Sequence, residues 1–195
     1  MRSVALDFQK RPAPFERETN WCVITGAPCS GKTTVLDRLA DRDIFCVPEA
    51  SRTYVDREMD RGRTLVEIRG DETAFQLRLI EFKLAAEQDL DPERVAVFDR
   101  GMPDSITYNR VSGLDPNAVL EACFRRRYRL VFLFDRLPLA ADGVRVEDEN
   151  TAAFLDGWLE KDYRALGYDV TRVPVMPVED RVVFVVEQMQ LCGLV

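Results

Sequence analysis

Gly26-Ala27-Pro28-Cys29-Ser30-Gly31-Lys32-Thr33 sets glycine, lysine and threonine at the spacing G-x-x-x-x-G-K-[ST], the pattern of a loop that wraps its backbone around a polyphosphate. The chemistry such a loop serves is phosphoryl binding and transfer. Gly26 and Gly31 let backbone N–H groups approach an anion without a Cβ in the way, and the N-terminus of the following helix adds partial positive charge. Lys32 is expected to reach the β- and γ-phosphates of ATP or GTP. The Thr33 hydroxyl is expected to ligate Mg²⁺, and Thr34 to donate to a more distal phosphate.

Two acidic positions could complete the site. Glu49 follows a short apolar run and stands where a general base for an acceptor hydroxyl would stand; it equally suits a carboxylate that complements a helix N-terminus. Asp99 ends the run Val95-Ala96-Val97-Phe98, a position from which an acid coordinates Mg²⁺ or orients an acceptor, with Arg100 beside it to neutralise phosphoryl charge. An Asp–Arg ion pair closing a strand is the alternative. Arg136, Asp142 and Arg145 occupy a polar excursion after Phe134, compatible with a lid that closes over phosphates or with a solvated loop.

The elements that must position these residues are legible as alternating periods. Trp21–Thr25, Asp43–Pro48, Val95–Phe98, Leu130–Phe134 and Val170–Val173 read as short strands, and the segments between them have helical spacing. Thr73 to about Leu90 is the longest helix, with Phe75, Leu77, Leu79, Ile80, Phe82, Leu84 and Ala85 expected on its core face. Pro116 to Arg126 is expected to be one helix opened by its proline. Five strands alternating with helices imply an α/β sandwich of three layers, a parallel sheet covered on both faces. In such sheets ligands sit at the carboxyl ends of the strands. Gly26, Glu49, Asp99, the excursion after Phe134 and the Pro174–Pro177 loop all follow strands directly, so one sheet edge collects them.

Composition excludes several alternatives. The net charge is −7 and there is no histidine, which removes a Ser-His-Asp triad, a histidine base and histidine-ligated zinc. The acidic balance also argues against nucleic acid as a partner. Cys22, Cys29, Cys46, Cys123 and Cys192 are scattered and odd in number, without a C-x-x-C pair. They read as free thiols in a reducing compartment. No apolar run reaches the length of a membrane span, and Asp7 interrupts the first apolar residues, unlike a signal peptide. A cytoplasmic protein is expected, with residues 1–20 as an N-terminal arm and 21–195 as one domain. Arg125-Arg126-Arg127 with Arg129 lies before a strand and reads as a solvated face or partner surface.

Gly26–Thr34, Pro48-Glu49-Ala50-Ser51-Arg52, Phe98-Asp99-Arg100-Gly101 with Pro103-Asp104 and Tyr108, Asp142–Asp148, Leu166-Gly167-Tyr168 and Val173–Val182 together resemble the AAA-type ATPases predicted from sequence. That family has a nucleotide-kinase-like fold, similar to the nicotinamide riboside kinase domain and more distantly to deoxynucleoside and thymidylate kinases. The resemblance implies strand order 2-3-1-4-5 and a short mobile lid. It also implies Glu49 as the base, Asp99-Arg100 as the acidic-Arg motif after strand three, and Arg145 as a lid arginine. Arg52 and Tyr108 then fall on the substrate side. The expected activity is a Mg-ATP-dependent kinase acting on a nucleoside-like or other small hydroxyl acceptor. A nucleotide-dependent switch acting through a protein partner is the alternative.

Overall fold

A computed structural model describes residues 4–8, 15–137 and 149–195. A single parallel sheet of five strands runs in the order β2-β3-β1-β4-β5, formed by β1 Trp21–Thr25, β2 Cys46–Val47, β3 Ala96–Asp99, β4 Leu130–Phe134 and β5 Val170–Val173. The helices are α1 Lys32–Ala40, α2 Ala50–Asp60, α3 Leu65–Arg69, α4 Glu72–Asp89, α5 Asp104–Val111, α6 Leu120–Cys123, α7 Glu149–Ala165 and α8 Val178–Leu191. The strand order is the one the family resemblance implies, and the helices on both faces are those that five runs alternating with helices imply.

Strand alternation explains the layers. Successive side chains point to opposite faces of a sheet. Trp21 and Val23 of β1 and Val131 and Leu133 of β4 enter the cluster under α5, α6 and α7. Cys22 and Ile24, with Phe132 and Phe134, enter the cluster under α1 and α8. All nine residues of β1 and of β4 beyond Leu130 are buried, which is why these strands read as continuous apolar runs rather than alternating ones. Each large aliphatic or aromatic chain so buried contributes roughly 1.5–3 kcal/mol. In register, Ile24 faces Asp99 and Thr25 faces Leu133, while Val47 faces Phe98 and Phe134 faces Val173. The carboxyl ends of the strands are therefore level, and the loops after them share one edge.

Several elements differ from expectation for local reasons. β2 is shorter than Asp43–Pro48 because the Asp43 and Ile44 amides are bonded to Ala40 O and Leu39 O in the turn that closes α1. α3 is an extra helix; its Thr64 and Glu67 form a reciprocal capping box. On α4, Leu77 and Ala85 are exposed while Gln76 and Glu87 are buried. The helix divides its contacts, with Phe75 and Leu79 meeting α2 and α3 and Ile80 and Leu84 meeting the sheet, so no single apolar stripe describes it. The segment expected as one helix over Pro116–Arg126 is a 3₁₀ turn, Pro116–Val119, followed by α6. It stops at Phe124 because that carbonyl receives the Glu16 amide, and residues 15–20 run beside 124–129. Phe15 packs on Phe124 and Tyr168 at 5.0 and 5.5 Å between centroids. Arg127, expected on a solvated face, lies over the Phe15 and Tyr168 rings and donates to Gly167 O, so it staples this segment to the domain.

α5 and α7 are joined by a buried ion pair. Arg110 Nη2 lies 2.9 Å from Asp162 Oδ1, with the two side chains 1% and 2% exposed, and Thr107 donates to Asp162 Oδ2 at 2.8 Å. Removing one partner strands the other charge in the core. Asp162→Ala is expected to destabilise the fold by about 3–5 kcal/mol, read as a lowered urea midpoint; a loss below about 1 kcal/mol would mean that water reaches Arg110.

Candidate active site

The phosphate loop leaves β1 at Thr25 and enters α1 at Lys32. Gly26 has φ of 145°, and a Cβ there would come within 2.6 Å of Phe134 O. Gly31 caps α1 in a left-handed conformation, with φ of 79°. Both glycines are therefore required by the backbone path as well as by any anion. Cys29, exposed at the crest of the loop, is also left-handed, with φ of 60°. Ala27 and Ser30 are buried, Pro28 is half-buried, and Thr33 and Thr34 are exposed on the first turn of the helix.

Lys32 folds back over the loop. Its Nζ donates to Gly26 O at 3.0 Å, Ala27 O at 3.1 Å and Ser30 Oγ at 3.2 Å, and the residue is 6% exposed. Burial, aided by the positive charge of Arg100, brings its ammonium down to about 7, against the pull of Asp99, Glu49 and Asp104. Its three hydrogen-bond partners are neutral acceptors, and no described carboxylate forms an ion pair with it.

Glu49, Asp99 and Arg100 converge here, as their positions after strands require. Arg100 is 8% exposed and takes a left-handed backbone, with φ of 68°, which is uncommon for a residue with a Cβ. That turn aims its guanidinium along the sheet edge. Nε donates to Glu49 Oε1 at 3.0 Å, and Nη1 donates to Gly26 O at 2.9 Å and lies 3.4 Å from Asp104 Oδ1. Burial opposes its charge, but Tyr108, Glu49, Asp104 and Asp99 outweigh that and hold it more firmly protonated than usual. Glu49 is half-buried; burial would raise its carboxyl, yet Arg100, the Ser51 hydroxyl and Lys32 hold it below the ordinary range. It is thus an ionised acceptor at neutral pH.

Asp99 is 4% exposed. Oδ2 lies 3.4 Å from the Thr33 hydroxyl, and Oδ1 is buried without a hydrogen-bond partner. Burial raises its carboxyl above the usual value, against Lys32 and Arg100. An orphaned buried carboxylate oxygen beside a hydroxyl on the phosphate loop is a donor set that fits a hard divalent cation. Among the described residues no group of three or more acidic, cysteine or histidine side chains could hold a metal by itself. Mg²⁺ takes one or two protein ligands and completes its shell with phosphates and water.

Arg52 and Tyr108 line a cavity of about 400 Å³ with Lys32, Thr33, Glu49 and Arg100. Its far wall is Phe75, Gln76 and Leu79 of α4. Arg136 is half-buried just after β4. Asp142 and Arg145 lie outside the described residues.

Three residues to which the sequence assigns no role belong to the site. Asp104, fully buried, accepts from Thr25 Oγ1 at 2.6 Å, Gly101 N at 3.0 Å and Tyr163 OH at 2.6 Å, so it ties β1, the turn after β3 and α7 to Arg100. Lys83 donates to Gly101 O at 2.9 Å and Ser105 Oγ at 3.0 Å, and burial draws its ammonium down. The spacing Phe75, Leu79, Lys83 places it on one helix face with the cavity wall, a signal available in the sequence. Arg181 of α8 is 3% exposed; Nη1 donates to Ser30 O at 2.8 Å, its Nε is buried without a partner, and a Cβ on Gly31 would meet Nη1 at 2.8 Å. Burial pulls its guanidinium below the usual value, with no carboxylate among the described residues to offset it. No local pattern marks this residue.

Comparison with known proteins agrees with the fold. A family model described as AAA domain matches residues 21–181. The structure is similar to thymidylate kinase from Ehrlichia chaffeensis, with a TM-score of 0.64 and 15% identity over 89% of this chain and 100% of that one. It is similar to the NadR protein in complex with NR, with a TM-score of 0.61 and 20% identity over 88% of this chain and 51% of that one. Shikimate kinase from Aquifex aeolicus gives a TM-score of 0.54 and 17% identity over 89% and 98% of the two chains. At such identities the likeness is one of fold. Comparison with curated proteins finds no match.

Two outcomes follow from this geometry. A polyphosphate favours the charged form of Lys32, so above about pH 7 nucleotide binding must take up a proton. Affinity for ATP or GTP is expected to fall by up to about tenfold per pH unit above that point. Calorimetry in two buffers of different ionisation enthalpy should show the uptake, and Lys32→Met should abolish it. Arg181→Ala should weaken nucleotide binding by about tenfold, the loss of one charge-assisted hydrogen bond to the loop, with partial recovery in Arg181→Lys. Equal affinity in all three proteins would make Arg181 a packing residue only.

Proposed function

The chain belongs to this AAA domain family, and on that premise we propose that it is a small-molecule kinase, transferring the γ-phosphoryl group of Mg-ATP to a hydroxyl of an acceptor held in the cavity beside the phosphate loop. One observation carries the reading. The Glu49 carboxylate, gripped by Arg100, shares a cavity with Lys32 and Thr33, so an acceptor hydroxyl and a terminal phosphate can meet there. The kinases among the structural neighbours support the same class of chemistry.

The loop amides, Lys32 and the α1 N-terminus bind and orient the polyphosphate. Thr33 and Asp99 are the residues that would hold Mg²⁺, which when bound supplies charge neutralisation on the phosphates. In transfer, the acceptor oxygen bonds to the γ-phosphorus, the bond from that phosphorus to the β–γ bridging oxygen breaks, and ADP departs. The hydroxyl proton passes to Glu49. Because Glu49 is held below the ordinary carboxylate range, its first task is to orient the hydroxyl. In a loose phosphoryl transition state the proton leaves late, so a weak base suffices. Arg100 fixes Glu49 and meets charge that develops on the transferring group. Arg136, with Asp142 and Arg145 on the same excursion, would form the lid that excludes water.

The test is steady-state ADP release with and without pooled nucleosides and other hydroxylated metabolites. One pool should raise turnover well above the acceptor-free rate. Glu49→Gln should then lose about 10²–10⁴ in transfer rate with nucleotide affinity retained, and Asp99→Asn should lose the Mg²⁺-dependent part. Slow turnover that no pool alters, together with tight nucleotide binding, would favour a nucleotide-dependent switch.

A further inference from the structure

The cavity beside the phosphate loop has a charge balance opposite to that of the protein. The chain carries a net charge of −7, yet among the described residues Lys32, Arg52, Arg69, Lys83 and Arg100 line this cavity with Glu49 as the one acidic member. Three of the five bases are committed. Lys32 belongs to the phosphate loop, Arg100 to Glu49, Asp104 and Gly26 O, and Lys83 to Gly101 O and Ser105 Oγ. Arg69 lies over the Phe75 ring at 4.5 Å and meets Glu72 at 3.3 Å, with half of its side chain still exposed. Arg52 has no hydrogen bond or ion pair to any described residue, and it stands one helical turn after Glu49 at the cavity wall.

Phe75, Gln76, Leu79 and Lys83 of α4 line the cavity in succession. Lys83 touches Gly101, next to Arg100, and Phe75 lies eight residues earlier on the same helix, so about 12 Å of helix separates the reaction end from the Phe75–Arg69 end. Between them Leu79 and Tyr108 offer apolar surface, Phe75 closes the far end beneath the Arg69 guanidinium, and Gln76 offers an amide held by Glu72 at 2.8 Å. Resting on the kinase reading, we propose that the acceptor is an anion: a ring-bearing hydroxy compound whose alcohol sits at Glu49, whose ring lies against Leu79 and Tyr108, and whose carboxylate or phosphate is bound by Arg52 with Arg69. A neutral acceptor leaves Arg52 without a counter-charge, and a cationic ring meets like charge. The guanidinium fork suits a planar or tetrahedral oxyanion.

The probes are para-hydroxymethylbenzoate, the corresponding neutral amide, and an N-methylpyridinium alcohol of the same shape. Each is titrated calorimetrically into the full chain with a non-hydrolysable ATP analogue and Mg²⁺, at low and high salt. The carboxylate is expected to bind about tenfold more tightly than the amide, to lose that advantage in high salt, and to lose it in Arg52→Gln; the pyridinium should not bind. Arg52 is exposed, so its replacement does not threaten the core. Equal binding of amide and carboxylate, tighter binding of the cation, no measurable carboxylate binding, or a preference that survives in Arg52→Gln would each overturn the proposal. Label transfer from γ-labelled ATP to the same probes and to neutral nucleosides reads the kinase reaction separately. Transfer to neutral acceptors alone would overturn the anionic acceptor and leave the kinase standing, whereas a carboxylate preference without transfer to any compound would do the reverse.

Discussion

The guanidinium of Arg100 is the fixed point of the sheet edge. It is almost wholly removed from water, and a buried charge is tolerable only when paired and fully hydrogen-bonded. Its partners come from three different segments: Glu49 at the start of α2, Gly26 O at the mouth of the phosphate loop, and Asp104 at the start of α5. Satisfying this one side chain therefore sets the relative positions of the carboxylate, the loop and the turn after β3. The left-handed backbone at Arg100 is a local cost that the surrounding bonds repay.

Asp104 extends the constraint to the other layer. By accepting from Thr25, Gly101 and Tyr163 it connects the end of β1 with α7, and the Asp162–Arg110 pair connects α7 again to α5. On the opposite face, Arg181 presses α8 against Ser30 and Gly31. The phosphate loop is thus held from both sides of the sheet by buried arginines, Arg100 with carboxylate partners and Arg181 with none among the described residues. Arg181, the loop lysine Lys32 and the orphaned oxygen of Asp99 form a set of charges that a polyphosphate and a divalent cation would complement.

Much of the site was legible from residue order. The phosphate loop announced itself, and the rule that ligands gather at the carboxyl ends of parallel strands places Glu49, Asp99 and Arg100 on one edge. Glu49 was open between base and helix-end carboxylate, and the contact with Arg100 Nε is the detail that sequence could not supply. Periodicity misplaced Leu77 and Ala85 because α4 serves two clusters at once. The α6 segment ended early because its carbonyls are shared with residues 15–20, and Arg127 was read as solvated because its partners, Phe15 and Tyr168, lie 112 and 41 residues away in the chain.

What the sequence by itself determined is whatever depends on short-range sterics and period: the glycines that let the loop turn, the five strands with their two-faced alternation, and the succession of loops that carry chemistry. What only the tertiary structure decided is which distant side chains meet. The meeting of Lys83 with Gly101, of Arg181 with Gly31 and of Asp104 with Thr25 and Tyr163 depends on strand order and on the rotation of each helix about its axis. Those are settled by packing the whole core at once, and no window of neighbouring residues contains them.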